Sequence, residues 1–585
     1  MQLELIDKAV IAAFFLISLL IGLAVARRSG SSSAEFFLSG RDMPWWLLGV
    51  SMVATTFSCD TPNLVTDIVR KNGVAGNWAW WAFLLTGMTT VFIYARLWRK
   101  SGVLTDLGFY ELRYGGKGGA FLRGFRAAYL GIFFNVMIMA SVSLAAIKIG
   151  SILLGLQPWE TLLYAGTVTV IYSSIGGLRG VLFTDLFQFI IAMLGSVWAA
   201  FYVLGLPQVG GLETLLAVPE VSARLSFFPD FSDPTQYVPL LLVPLAVQWW
   251  SVWYPGAEPG GGGYIAQRML SARNGRHAVG ATLFFNVAHY ALRPWPWIII
   301  ALASVVVFPQ LSDIRAAFPQ VNPELVNDDL AYPAMLTFLP SGLAGLVVAA
   351  LIAAYMSTLS THLNWGSSYI VSDLYVRFMA PDATDARQVM VGRISTVVLM
   401  ALSAVLALWM DNALQAFNIL LQIGAGTGLI FILRWFWHRI NAWTEVSGMI
   451  ISFVVAVFLE VVLPAQGFAP LPHIKLLLGV GITTMGWMTV TLLTQPEPRD
   501  VLQRFYDHVR PAGPGWSGFG NGSWGPLPLQ MLCVLLGTVS VYCALFATGS
   551  FLYGNGMIAA VLGTVAVVGA ASLIWLWPRV TDDGE

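Results

Sequence analysis

The sequence predicts an all-α polytopic membrane protein, and three observations carry that reading. Of 585 residues 57% are hydrophobic and only 11% charged, where a soluble domain is nearer one quarter charged. Apolar runs of about 20 residues recur along the chain, the length that crosses a hydrocarbon core of about 30 Å. A β-barrel would show short alternating segments instead. Charge and cysteine content exclude other classes. The chain has 31 basic and 31 acidic residues, so nothing points to nucleic acid. Cys59, Cys533 and Cys543 lie in apolar segments and offer neither a disulfide framework nor zinc spacing.

About 15 spans are expected, near 5–27, 44–66, 77–98, 119–153, 159–176, 180–205, 237–256, 279–309, 338–376, 388–410, 412–437, 444–464, 474–494, 527–549 and 553–577. The first lacks a basic stretch before it and a cleavage site after it, so it reads as a retained helix. With the N-terminus outside, 23 of the 31 lysines and arginines fall on the inner side, from Arg27 and Arg28 to Arg579. That bias puts the C-terminus in the cytoplasm and the loops 206–236 and 310–335 outside.

Two spans are interrupted. The second contains "TTFSCDTPN", with hydroxyls, Asp60 and Pro62 where leucines belong. The seventh runs into "YPGAEPGGGG", with two prolines, five glycines and Glu258. Breaking a helix frees backbone amides and carbonyls, which is tolerable at membrane depth only where they face a cavity or a ligand. The breaks lie five spans apart, an odd offset that inverts the second copy. Paired breaks of this kind mark an inverted-repeat transporter and its binding site.

The ninth span carries "AAYMSTLSTHLN". Six polar side chains from Ser357 to Asn364 are hard to place against lipid. Ala354, Ser357 and Thr358 share a face, since i, i+3 and i+4 are neighbours on a helix. A carbonyl and two hydroxyls suit a hard cation such as sodium, with further carbonyls coming from the broken second span. The alternative is that each hydroxyl bonds the carbonyl one turn back in its own helix.

Several motifs in order resemble the sodium:solute symporter family: "SGRDMPWWLLGVSMVATTFS" at 39–58, "SSIGGLRGVLFTDLFQFIIAMLGS" at 173–196, "YIAQRMLSARN" at 264–274 and "LPSGLAGLVVAALIAAYMSTLSTHLNWGSSYIVSDLY" at 339–375. The resemblance covers residues 1 to about 495. It implies a LeuT-type five-plus-five inverted repeat, with one extra N-terminal helix in 1–43, a first repeat in 44–205, an outer loop at 206–236, a second repeat in 237–440 and about four accessory helices in 441–585. It also implies sodium-coupled symport of a small polar solute across the plasma (inner) membrane, with no obligate protein partner. The implied sodium site falls on the carbonyls of Ala54, Phe57 and Ala354 and the hydroxyls of Ser357 and Thr358. Asp185 matches a position on the sodium exit path; the alternative is a cap beside Arg179.

By the same resemblance the solute sits beside the two breaks. Thr56, Ser58 and Thr61 line that place, with Asp60 beside them. A charge at that depth needs a partner or a cavity. Arg293 is the expected partner of Asp60, with Glu258 as the other candidate; all three could instead form a structural ion network. Trp80, Trp250, Trp253 and Tyr254 can stack on a solute ring or serve as interface anchors. Asn135 and Gln422 are further solute candidates. A sugar or sugar acid leads, with an amino acid or carboxylate second. Proton coupling through Asp60, Glu258 or His362 is the rival mechanism, and a membrane sensor is a remote one. An enzyme is not expected, because "GGKGG" at 115–119 and "GAGTG" at 424–428 precede no Lys-Ser or Lys-Thr pair.

Overall fold

A computed structural model describes residues 3–252, 258–319, 321, 326–410, 421–520 and 523–581. Regular structure among them is helical, and one parallel backbone bridge joins Met43 to Ala272. In chain order the main helices are α1 (Leu5–Ser29), the short α2 (Trp45–Thr55) and α3 (Thr61–Asn72), α4 (Val74–Ser101), α5 (Gly116–Leu154), α6 (Pro158–Leu204), the short α7 (Gly263–Ser271), α8 (Gly275–Val307), α9 (Leu343–Met379), α10 (Asp385–Trp409), the short α11 (Gly428–Phe436), α12 (Ala442–Ala465), α13 (Pro472–Leu493), α14 (Leu527–Leu552) and α15 (Gly556–Thr581). All except the four short ones are long and apolar enough to cross a membrane, eleven among the described residues.

Eleven is fewer than expected, and the differences have local causes. The expected span 44–66 is two short helices, because the helix stops at Thr55 and restarts at Thr61 with Pro62 in its first turn. The seventh span is likewise broken before α7, where Gly260 and Gly261 take positive φ of 86° and 79°. The expected spans 159–176 and 180–205 form one helix, α6, kinked at Gly177. Gly177 has φ 53°, and a Cβ there would lie 2.7 Å from the Phe36 carbonyl oxygen, so only glycine fits. Part of 412–437 lies outside the described residues.

The helix with the hydroxyls is the centre of the molecule. Of the apolar stretch of α9, 89% is buried, against 11% for α15. Small residues let it approach its neighbours, as in other membrane bundles: a Cβ on Gly195 of α6 would lie 2.7 Å from Ala350 of α9. The N-terminus of α9 is held by α1. The Asp7 carboxylate accepts from the amides of Gly342 and Gly345, each at 2.7 Å, and from the Ser341 hydroxyl at 3.3 Å. A carboxylate at a helix N-terminus meets unpaired amides and the positive end of the dipole.

Glu445 of α12 ties the accessory helices to the rest. It lies 3.0 Å from Arg126 of α5 and 3.7 Å from Arg434 of α11, and Tyr114 donates to it at 2.8 Å. All three charged side chains are at most 5% exposed. The last pair of helices covers α4 and α8: Tyr542 donates to the Trp81 carbonyl at 2.8 Å, and the Trp295 indole donates to the Leu545 carbonyl at 3.1 Å.

Candidate functional site

The site forms where the α2–α3 break meets the middle of α9. Ala54, Phe57, Ala354, Ser357 and Thr358 are all buried. Thr358 Oγ1 lies 2.9 Å from the Thr55 carbonyl oxygen across the interface and 3.1 Å from the Ala354 carbonyl oxygen of its own helix. Ser357 Oγ donates to Asp185 Oδ1 at 2.7 Å. Ser360 instead bonds the Ser357 carbonyl at 3.0 Å. The hydroxyls of this one helix therefore bond both across to neighbouring elements and back to their own carbonyls. Ser357, Thr358 and Thr361 point across to α2, α6 and α7, while Ser360 bonds backward. The oxygen-only donor set at the break is the kind that suits a hard cation.

Asp185 is no cap for Arg179, which reaches the Ser39 carbonyl and Glu35. Asp185 is fully buried and faces Ser51, Ser357 and Arg268. Arg268 Nη2 lies 3.9 Å from its Oδ2 and donates to Thr361 Oγ1 at 2.7 Å. Arg268 also reaches Ser51 Oγ at 3.2 Å and Gln267 Oε1 at 2.9 Å. The sequence reading counted Arg268 among the inner-side basic residues, whereas its side chain is fully buried beside Asp185. Ser51, Gln267, Arg268 and Thr361 were missed as site residues. The signal was present: "QR" lies inside the motif "YIAQRMLSARN" that follows the second break.

The residues expected to face solute lie on the other flank of the break. Thr56, Asp60, Thr61 and Trp80 are half-buried, and so is His289 of α8. Gln267, Arg268 and Asp185, by contrast, are sealed. The flank is thus more open on the α3 side than on the α7 side. Thr56 Oγ1 lies 3.0 Å from His289 Nδ1, and Arg293 Nη2 lies 3.1 Å from His289 Nε2. Arg293 Nη1 reaches Thr56 Oγ1 at 3.2 Å and the Val53 carbonyl at 3.4 Å. A π-helical turn at Ala288–Leu292 leads into Arg293. Trp80 stacks on Tyr290 at 5.8 Å and meets His289 edge-on at 5.7 Å. His289 was not foreseen; its spacing of four from Arg293 was the available signal.

Asp60 and Arg293 were expected to pair, and they do not: no ion pair within 4.0 Å joins them. Asp60 stands instead at the N-cap of α3, where a helix dipole favours negative charge. Ser58 Oγ is buried without a hydrogen-bond partner, and Thr61 Oγ1 reaches the Thr56 carbonyl at 3.5 Å. Glu258 folds over its own turn, its carbonyl accepting from the Gly261 amide at 2.8 Å and its carboxyl lying against Gly262.

Three solute candidates have hydrogen-bond partners other than the residues of the break. Asn135 bridges to α9, donating to the His362 carbonyl at 2.8 Å and meeting His362 Nδ1 at 2.7 Å. Gln422 donates to the Lys475 carbonyl at 3.1 Å, toward α13. The Trp250 indole bonds the Ala246 carbonyl of its own helix at 2.8 Å. Trp253 and Tyr254 lie outside the described residues.

Comparison with known proteins places the chain among relatives. The model of the sodium:solute symporter family matches residues 36–452. A sodium/glucose cotransporter of Vibrio parahaemolyticus is 27% identical over 476 residues, covering 78% of this chain and 86% of its own. The sodium/myo-inositol cotransporter 2 of Oryctolagus cuniculus is 28% identical over 492 residues, covering 77% and 70%. Among solved structures, a sodium-coupled sialic acid symporter superposes with a TM-score of 0.68 at 20% identity, over 85% of this chain and 99% of that one. The matched region takes in both breaks, Asp185, Arg293 and the hydroxyl helix, and the chain belongs to the sodium:solute symporter family.

Proposed function

We propose that this sodium-coupled symporter imports a sugar or sugar acid by alternating access, with sodium and solute on opposite flanks of the α2–α3 break. The observation that carries the reading is Thr358 of α9 reaching the Thr55 carbonyl at 2.9 Å, directly behind Thr56 of the solute flank. In this reading sodium is bound by the carbonyls of Ala54, Phe57 and Ala354 and the hydroxyls of Ser357 and Thr358. An ion there ties α9 to the break and fixes Thr56, Ser58, Asp60 and Thr61 for solute. Coupling follows, because each ligand then favours the conformation the other needs. The half-buried solute flank and sealed Asp185–Arg268 flank fit a form open toward the α3 end. The relatives' names support a polyol: glucose and myo-inositol carriers are similar to this chain, and a sialic acid carrier shares its fold.

The test is sodium titration of uptake in liposomes. Ser357→Ala and Thr358→Ala should each raise the half-saturating sodium concentration by about tenfold, the loss of one hydroxyl worth about 1.4 kcal/mol. Unchanged sodium dependence in both would remove the site.

The fold in this proposal is a five-plus-five inverted repeat of about 15 spans. The two broken helices, α11 with the residues before it, and α6 divided at Gly177 supply the spans beyond the long helices. The N-terminus is outside and the C-terminus cytoplasmic, in the plasma (inner) membrane. Ser232 and Asp382 are both exposed and fall on opposite sides in this topology. In intact cells an impermeant maleimide should label Ser232→Cys and spare Asp382→Cys. Labelling of both would refute the orientation.

A further inference from the structure

The solute is an anion: we infer that Arg293 receives the carboxylate of a sugar acid. This rests on the proposed solute flank and narrows it. The inference starts from a buried guanidinium without a contacting carboxylate. Arg293 is 2% exposed and lies within α8, a membrane-spanning helix. Its hydrogen-bond partners are neutral: the Val53 carbonyl, Thr56 Oγ1 and His289 Nε2. A charge at such depth usually has a pair or a functional role.

Donor geometry says where an anion would go. A guanidinium has five N–H donors and no acceptor. His289 Nε2 must therefore accept from Arg293, which makes Nδ1–H the donor of the neutral ring. That donor points at Thr56 Oγ1, 3.0 Å away. Thr56 also receives from Arg293 Nη1 and passes its own proton to the Val53 carbonyl at 3.0 Å. The chain of donors is thus closed on the Nη1 side. On the other edge, Nε–H is buried with no partner, and Nη2 uses only one of its two hydrogens. Nε–H and Nη2–H together form the edge that a carboxylate accepts bidentately. A single sugar hydroxyl would leave one of the two unpaired.

Asp60 does not fill that edge, and it completes the recognition. It remains on the same flank at the α3 N-cap, where it makes no cap hydrogen bond to its own helix and is placed to take solute hydroxyls. An acceptor and a forked cation that do not pair with each other suit a molecule carrying hydroxyls and a carboxylate.

Calorimetry on the purified full chain tests this, with glucose and galactose against glucuronate and galacturonate, in sodium and in potassium. At least one uronate should bind in sodium at least about tenfold more tightly than its neutral sugar. Arg293→Gln should reduce that preference to near one. Arg293→Lys, which keeps the charge but not the fork, should retain part of it and serves if the glutamine variant does not express. A structural role for Arg293 would lower all affinities together and leave the ratio unmoved. Neutral sugars binding as tightly as their acids overturn the anion assignment alone. Binding of neither class in sodium overturns the sugar reading as well.

Discussion

Asp185→Ala is expected to abolish sodium-driven uptake and to destabilise the protein by about 3–5 kcal/mol, because it strands Arg268 in a sealed interior. Both side chains are fully buried. Arg268 keeps Thr361, Ser51 and Gln267 as partners, but all are neutral. Asp185 also holds Ser51 and Ser357, so its loss frees a proposed sodium ligand to turn away. Stability and transport should separate in the double variant. Asp185→Ala with Arg268→Leu removes both charges and should regain much of the melting temperature in detergent, since replacing a buried pair by apolar groups is often neutral. Uptake should not return. An Asp185→Ala protein that melts and transports like its parent would remove the ion pair from both roles.

The largest stability effect outside the site is expected at Glu445. Glu445→Gln leaves two buried guanidiniums, those of Arg126 and Arg434, without the carboxylate that lies 3.0 and 3.7 Å away. A loss of about 3–5 kcal/mol is expected, read as a lower melting temperature and poor recovery on size exclusion. The control is the pair Arg504–Asp500, at 3.1 Å but with side chains 75% and 73% exposed. Asp500→Asn should change stability by less than about 1 kcal/mol, as exposed pairs generally do. Equal effects at the two positions would mean that burial does not set the value of these charges.

Much of this architecture was legible in the sequence because the membrane imposes a simple rule. Apolar length gives the spans, and prolines and glycines at depth give the breaks. The spacing of Ala354, Ser357 and Thr358 put them on one face of their helix, since helical periodicity fixes which residues share a face. Distances between helices were not legible. Asp60 and Arg293 were matched as opposite charges at similar depth, but sequence carries no measure of their separation, and the α3 N-cap offered Asp60 another environment. Asn135, Trp250 and Gln422 were placed by position in the chain, whereas their side chains turn toward α9, their own helix and α13. Nothing but its spacing from Arg293 set His289 apart in the sequence. It took its contacts with Thr56 and Arg293 to make it part of the site.

The clasp of Asp7 on the start of α9 has a practical meaning. Gly345 and Ser357 sit on one uninterrupted rod, 12 residues or about 18 Å apart. A fusion partner or purification handle placed just ahead of Leu5 would then disturb the clasp that seats the helix carrying the proposed sodium hydroxyls.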